Sequence, residues 1–203
     1  MKLIYVMDPM CGWCYGFRPE LEEFLKNHSE LELEYVMGGL APDTDIPMEK
    51  DLQKTIASYW YEIEKKTKVT FNHDFWELNT PYRSTFNSCR AVIAAESLKT
   101  NSSEQMVKSI QSAYYNEAKN PSLDEILIAC AVSIGLDEKH FRDIFKSEET
   151  NQKLQEHFNM CKKLQVRGFP ALFYLDDANE VHPLSLGYSS SASLEYQLTK
   201  AQL

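Results

Sequence analysis

The chain has 203 residues, 43% of them hydrophobic and 25% charged. This is the composition of an ordinary globular protein, which excludes whole-chain disorder, collagen-like structure and low-complexity repeats; the length suits one large domain or one domain with a sizeable insertion. The formal net charge of −9, from 21 Lys+Arg against 30 Asp+Glu, argues against a nucleic-acid partner, whose phosphates need a basic face, and against a polybasic membrane anchor.

Leu3–Met7 is a short apolar run rich in strand formers, stopped by Asp8 and Pro9, and reads as a buried strand. It is too short for a signal-peptide core of roughly 7–15 residues, and no stretch approaches the ~20 apolar residues of a membrane span. The expected location is therefore the cytoplasm. Phe17, Leu21, Phe24 and Leu25 recur at helical spacing up to Asn27-His28-Ser29, and a second strand is expected from about Leu31 to Met37. Gly38-Gly39 then opens a loop through Pro42 and Pro47.

From about Met48 to Leu164 the pattern is helical. Leu52, Ile56, Tyr59, Trp60 and Ile63 share one helical face, Asn72–Pro81 is irregular and aromatic, and Phe86, Cys89, Val92, Ile93 and Ala95 mark the next helix. Ser102-x-x-Gln105 and Ser122-x-x-Glu125 resemble capping boxes. Gly135 is expected to end a helix and Asp137 to cap the following one. Leu154, Phe158, Cys161 and Leu164 fit one face of a last long helix. Ala171–Leu175, the turn Asp176–Asn179 and Glu180–Leu186 read as a hairpin, and Ser189–Ser191 leads into a C-terminal helix carrying Leu194 and Leu198. The final strands need the first ones as neighbours. The expected division is a discontinuous sheet-based domain, residues 1–47 and 165–203, with an inserted helical domain at 48–164.

Five cysteines are too few for a disulfide scaffold, and their number is odd. Two of them form Cys11-Gly12-Trp13-Cys14, directly after a strand and at the start of a helix. The free N–H groups and positive dipole end of a helix N-terminus favour an anion, and such settings can lower a cysteine pKa to ~3.5–7.5. Cys11 would then be the outer, attacking thiol, and Cys14, one turn in, would resolve the mixed disulfide. An incidental pair and a metal site are the competing readings. Zinc sites usually add a second C-x-x-C or a His pair, and neither spacing occurs here.

Pro19 completes C-x-x-C-x-x-x-x-P, and Arg167-Gly168-Phe169-Pro170 immediately precedes the Ala171–Leu175 strand. Together these features resemble the thioredoxin superfamily. The helical block after the second strand resembles its DsbA-like branch, and Cys11–Phe17 is similar to cytoplasmic FrnE-type dithiol isomerases. The resemblance implies an α/β thioredoxin-like fold with a large all-helical insertion after the second strand. It implies Cys11 as nucleophile, Cys14 as resolving thiol and Pro170 as a cis-proline. The Phe169 backbone would pair with an extended substrate, beside Gly12 and Trp13. A cis bond is essentially a proline property.

The function expected on this basis is thiol–disulfide exchange, as oxidoreductase or isomerase, on cysteine-containing proteins or peptides, with glutathione as a further candidate partner. No metal or organic cofactor is required, because the dithiol itself carries the electrons. A cytosolic setting favours reduction or isomerisation over net oxidation. Kappa-class glutathione transferases and hydroxychromene-carboxylate isomerases share the insertion and are an alternative, although they usually lack the second cysteine. A non-catalytic binding protein using the groove beside Pro170 is another. Cys89, Cys130 and Cys161 read as small buried hydrophobes, and the aromatics Trp60, Tyr61, Phe71, Phe75, Trp76, Tyr114 and Tyr115 as core of the insertion.

Overall fold

The computed structural model describes residues 1–202. β1 (Lys2–Met7) is apolar along nearly its whole length because it runs through the middle of a four-stranded sheet and is covered on both faces. It pairs in parallel with β2 (Glu32–Met37), Lys2 opposite Glu32 and Met7 opposite Met37. On its other side it pairs antiparallel with β3 (Ala171–Leu175), which pairs antiparallel with β4 (Val181–Leu186). The order is β2-β1-β3-β4. Pro183 lies in an edge strand, where a missing N–H costs no ladder bond, beside a register shift at Leu172/Phe173.

The crossover from β1 to β2 is α1 (Gly12–Asn27), with Pro19 inside it. Between β2 and β3 lie α2 (Lys50–Thr67), α3 (Phe75–Leu78), α4 (Phe86–Leu98), α5 (Ser103–Gln111), α6 (Asp124–Ser133), α7 (Glu138–Phe145) and α8 (Glu148–Lys163). α5 runs directly into a π-helical turn at Ser112–Asn116, and α9 (Ser191–Ala201) closes the chain. This is the expected α/β thioredoxin-like fold with an all-helical insertion after the second strand. The buried core is continuous across it: Leu3, Met7, Phe17 and Leu172 belong to one cluster with Ala91, Met106 and Leu127. Among the described residues no helix is long and apolar enough to cross a membrane.

A second cluster joins α1 to the insertion. Trp60 stacks on Phe71, ring centroids 4.9 Å apart, and Tyr15 stacks on Tyr115 at 4.6 Å. The aromatic residues of the insertion are thus mostly core, except Tyr61, which is exposed and lies flat on His73. The aromatic stretch Asn72–Pro81, expected to be irregular throughout, contains α3.

Both expected capping boxes are absent. At the first, Ser102 Oγ is buried without a partner. Glu96 from the end of α4 takes its place, accepting from Asn101 N (2.7 Å), Ser103 N (2.9 Å) and Ser103 Oγ (2.7 Å). At the second, Leu123 precedes α6 and Ser122 Oγ donates instead to the Ser84 carbonyl. At the first site Glu96 satisfies donors at the start of α5 while tying α4 to it; at the second, Ser122 is drawn off to the loop before α4. Asp137 does cap α7, accepting from His140 N at 2.9 Å, and Gly135 ends α6 with φ +84°.

Burial alone would raise the Glu96 carboxyl, but hydrogen bonds from Ser103 and its neighbours hold it below the usual carboxylate range. Its contribution is therefore complete above the unfolded value of about 4.3 and is lost as pH falls through the lower folded value. Loss of an N-cap costs about 0.5–2 kcal/mol, so Glu96→Ala should destabilise by roughly that amount in urea titrations at pH 7, with the difference from wild type fading in acid. Ser102→Ala should be close to neutral.

Candidate active site

The dithiol is positioned by the β1–α1 junction. Asp8 and Pro9 end the strand, Cys11 N donates to the Asp8 carbonyl at 3.0 Å, and Cys11 takes the N-cap position with extended backbone angles (φ −82°, ψ 116°). Cys11 keeps a sliver of exposure at 7%, whereas Cys14 is at 0%, and both are free thiols. Gly12 lets α2 approach: a Cβ there would lie 2.9 Å from Ile63 Cδ1. Trp13 is half-buried and packs on Tyr188, ring centroids 6.1 Å apart.

The loop before β3 reaches the same place. The Phe169–Pro170 peptide is cis, as the resemblance implied. The Cys11 thiol points at the Phe169 carbonyl, 3.9 Å away. The Phe169 ring lies over Gly38, where any Cβ would collide with it. The structure thus brings together Cys11, Gly12, Trp13, Cys14, Phe169 and Pro170, all six residues singled out from the sequence.

Asp8 and Tyr5 lie against this group and were not singled out. Asp8 is fully buried: Oδ1 accepts from Met10 N at 2.8 Å, and Oδ2 from Leu40 N (2.6 Å), Thr85 Oγ1 (2.6 Å) and the Cys89 thiol (3.6 Å). Burial pushes its carboxyl up despite those four donors. In the sequence Asp8 looks like a strand stop; its only signal is a carboxylate three residues ahead of a cysteine pair. Tyr5 is also buried, and burial above all, with Cys14 beside it, pushes its hydroxyl well up.

Burial, followed by the adjacent Cys11 thiol, pushes Cys14 well above the usual cysteine range. Burial also raises Cys89, with the Asp8 carboxylate adding to it, and Cys130, and lifts Cys161 to about 11. These last three are buried among apolar side chains as expected, although Cys89 also donates to Asp8. Far from the dithiol, Asp176, Glu180 and His182 bring ligand atoms within 4.8 Å of one another at the β3–β4 turn. Two of the three side chains are already engaged locally: Asp176 Oδ2 meets His182 Nε2 at 2.9 Å, and Asp176 Oδ1 accepts from Ala178 N and Glu180 N.

A family model described as thioredoxin matches residues 4–195. The chain belongs to this family. A solved structure from Nitrosomonas europaea, provisionally described as a protein disulfide isomerase, superposes with TM-score 0.88 at 26% identity, covering 100% of this chain and 98% of that one. Cytosolic disulfide reductase DsbM from Pseudomonas aeruginosa, solved with GSH, gives TM-score 0.80 at 22% identity, covering 100% of both chains. The ClpXP adapter protein SpxH of Halalkalibacterium halodurans is 21% identical over 182 residues, 87% of this chain and 59% of SpxH. The chain therefore spans about three fifths of the length of that curated relative.

Alkylation follows protonation and access. In the reduced native protein at pH 7, iodoacetamide should modify Cys11 before Cys14 and Cys89, which are wholly enclosed and pushed up by burial. Peptide mass spectrometry resolves the order, and equal labelling of Cys11 and Cys14 would contradict it. Asp8→Ala takes the acceptor from the buried Met10 N–H and from Leu40 N–H, at ~1–3 kcal/mol each, while Thr85 Oγ1 keeps the Ala41 carbonyl at 3.3 Å. Partly offset by relief of a buried carboxylate, the net loss should be on the order of 3 kcal/mol in chemical denaturation.

Proposed function

We propose that the protein is a thiol–disulfide oxidoreductase or isomerase that exchanges disulfides with cysteine-containing protein or peptide substrates through Cys11 and Cys14. The observation that carries this reading is the placement of two free thiols one helical turn apart at the start of α1, the outer one against the Phe169 carbonyl. An incidental pair has no reason to sit at the one point where a helix start meets a second loop across the sheet.

In the reductive direction the Cys11 thiolate attacks one sulfur of the substrate disulfide. A mixed disulfide forms and the first substrate thiolate leaves. Cys14 then loses its proton and attacks Cys11 Sγ, forming the Cys11–Cys14 disulfide and releasing the second substrate thiol. Two electrons pass from the dithiol to the substrate. The partial exposure of Cys11 and the enclosure of Cys14 support this division of labour. Burial keeps Cys14 protonated and in reserve until the mixed disulfide forms. Trp13 and Phe169 flank the thiols and would contact the substrate, and the backbone beside Pro170 would pair with its extended chain.

The likeness to a cytosolic disulfide reductase solved with GSH supports a reducing, cytoplasmic setting and glutathione as the thiol that regenerates the pair. The finer assignment, to FrnE-type isomerases, rests on the Cys11–Phe17 resemblance. The glutathione-transferase-like alternative leaves Cys14 without a role. A binding reading is favoured by one observation, the match to an adapter protein; in it the same face would hold a partner without turnover.

Insulin reduction by reduced glutathione, followed by turbidity, tests the proposal. Wild type should accelerate it, Cys11→Ser should abolish the acceleration, and Cys14→Ser should accumulate a mixed disulfide visible on non-reducing gels. Full activity in Cys11→Ser would sink the redox assignment. Binding of a partner by Cys11→Ser with no turnover by wild type would favour the adapter reading.

A further inference from the structure

β2 is an edge strand, and its outer side is only partly covered. Met7 accepts from Gly38 N, so the even-numbered residues of β2 point their backbone groups at β1 and the odd-numbered ones point away. At Met37 the outward groups are satisfied by α8: Met37 N donates to His157 Nδ1 at 3.0 Å and the Met37 carbonyl accepts from the Cys161 thiol at 3.9 Å. Burial holds the His157 pKa low, consistent with a neutral ring that accepts. At the next two outward positions, Tyr35 and Leu33, backbone N–H and C=O have no partner among the described residues.

Those two positions line a cavity of about 670 Å³ between β2, α4, α5 and α8, with Val92 and Ile93 in its wall. That volume falls in the ordinary range of ligand sites, ~300–1,000 Å³. The charges around it are one-sided. Glu32, Glu34, Glu96 and Glu104 line it, against one lysine, Lys153, which is itself paired with Glu149 at 2.8 Å. Glu34 has Lys2 as partner and Glu104 has Lys108, while Glu32 and Glu96 have no cation partner among the described residues. An unpaired strand edge, a cavity large enough for side chains and an acidic rim occur at one place.

We propose that this groove binds an extended, lysine- or arginine-bearing peptide segment, which adds a strand to β2 by pairing with Leu33 and Tyr35. Main-chain pairing supplies the register, and the carboxylates select basic side chains. The two outward residues lie ~7 Å apart along the strand, so a segment of about five residues covers both. A second copy of this chain is a poor occupant. Edge-to-edge pairing would set Glu32 and Glu34 of one copy against those of the other, and like charges opposite one another are destabilising. The groove goes beyond the dithiol reading and does not depend on it, because it takes peptides without cysteine.

Fluorescence anisotropy with a labelled octapeptide of alternating Val and Lys tests the proposal, alongside its Val–Glu counterpart and a fully N-methylated Val–Lys peptide. The Val–Lys peptide should bind roughly tenfold more tightly than the Val–Glu peptide at low salt, and the N-methylated one should not bind. Glu32→Lys should weaken binding about threefold, as expected for one exposed charge, with insulin reduction unchanged. Leu33→Pro removes an outward N–H without breaking the β1 ladder and should abolish binding. If Leu33→Pro does not fold, amide exchange of the wild type decides: bound peptide should slow the Leu33 and Tyr35 amides. Equal binding of the two charge types, protection at Phe169 instead of β2, or a dimer that protects the same amides without peptide would each overturn it.

Discussion

The buried carboxylate of Asp8 is the joint on which the site and the fold depend. Three residues ahead of Cys11, it binds the backbone of Met10 in its own turn, of Leu40 in the loop after β2, and the side chains of Thr85 and Cys89 at the start of α4. One side chain therefore holds the strand end, the loop under Phe169 and the start of α4. A buried carboxylate is costly unless its oxygens are satisfied, and the four donors offset that cost. Because the donors come from three segments of the chain, the arrangement exists only in the complete fold. Its charge also bears on the thiols, adding to the burial that holds Cys14 and Cys89 protonated.

Around that joint, α1 is clamped from two sides. Its Gly12 and Gly16 receive α2 at Ile63 and Thr67, where a Cβ at Gly16 would lie 2.8 Å from Ile63 Cγ2. Tyr15 reaches into the aromatic cluster of the insertion, and its hydroxyl donates to the Thr70 carbonyl and accepts from Asn116. The insertion is thus more than a decoration on the sheet: it supplies a wall of the dithiol site and encloses Cys14. That enclosure leaves Cys14 wholly buried and Cys11 with a sliver of exposure, although the two are neighbours in sequence.

The sheet leaves its two edges in different condition. β4 carries Pro183 and a register shift, features that discourage further pairing. β2 is closed at Met37 by α8 and open at Leu33 and Tyr35 above an acidic cavity. Its glutamates discourage self-association, which suits a chain of net charge −9. The dithiol pair and the outward edge of β2 at Leu33 and Tyr35 are separate features of the sheet.

Local chemistry made much of this legible in the sequence. The apolar run Leu3–Met7, the helical spacing of Phe17, Leu21 and Phe24, the Cys11–Cys14 pair and the Phe169-Pro170 step each carry their meaning within a few residues. The succession of strands and helices and the helical insertion are therefore readable in the sequence, whereas the order of the strands in the sheet is not. What needed the tertiary structure depends on partners far along the chain. Asp8 reads as a strand stop until Leu40, Thr85 and Cys89 converge on it. Ser102 reads as a cap until Glu96 arrives from another helix and takes the donors. The open backbone at Leu33 and Tyr35 has no sequence signature, because an edge is defined only by the strand that is not beside it. Periodicity and local motifs fix which residues are buried and where a helix starts, whereas the satisfaction of a buried polar group is settled by long-range geometry.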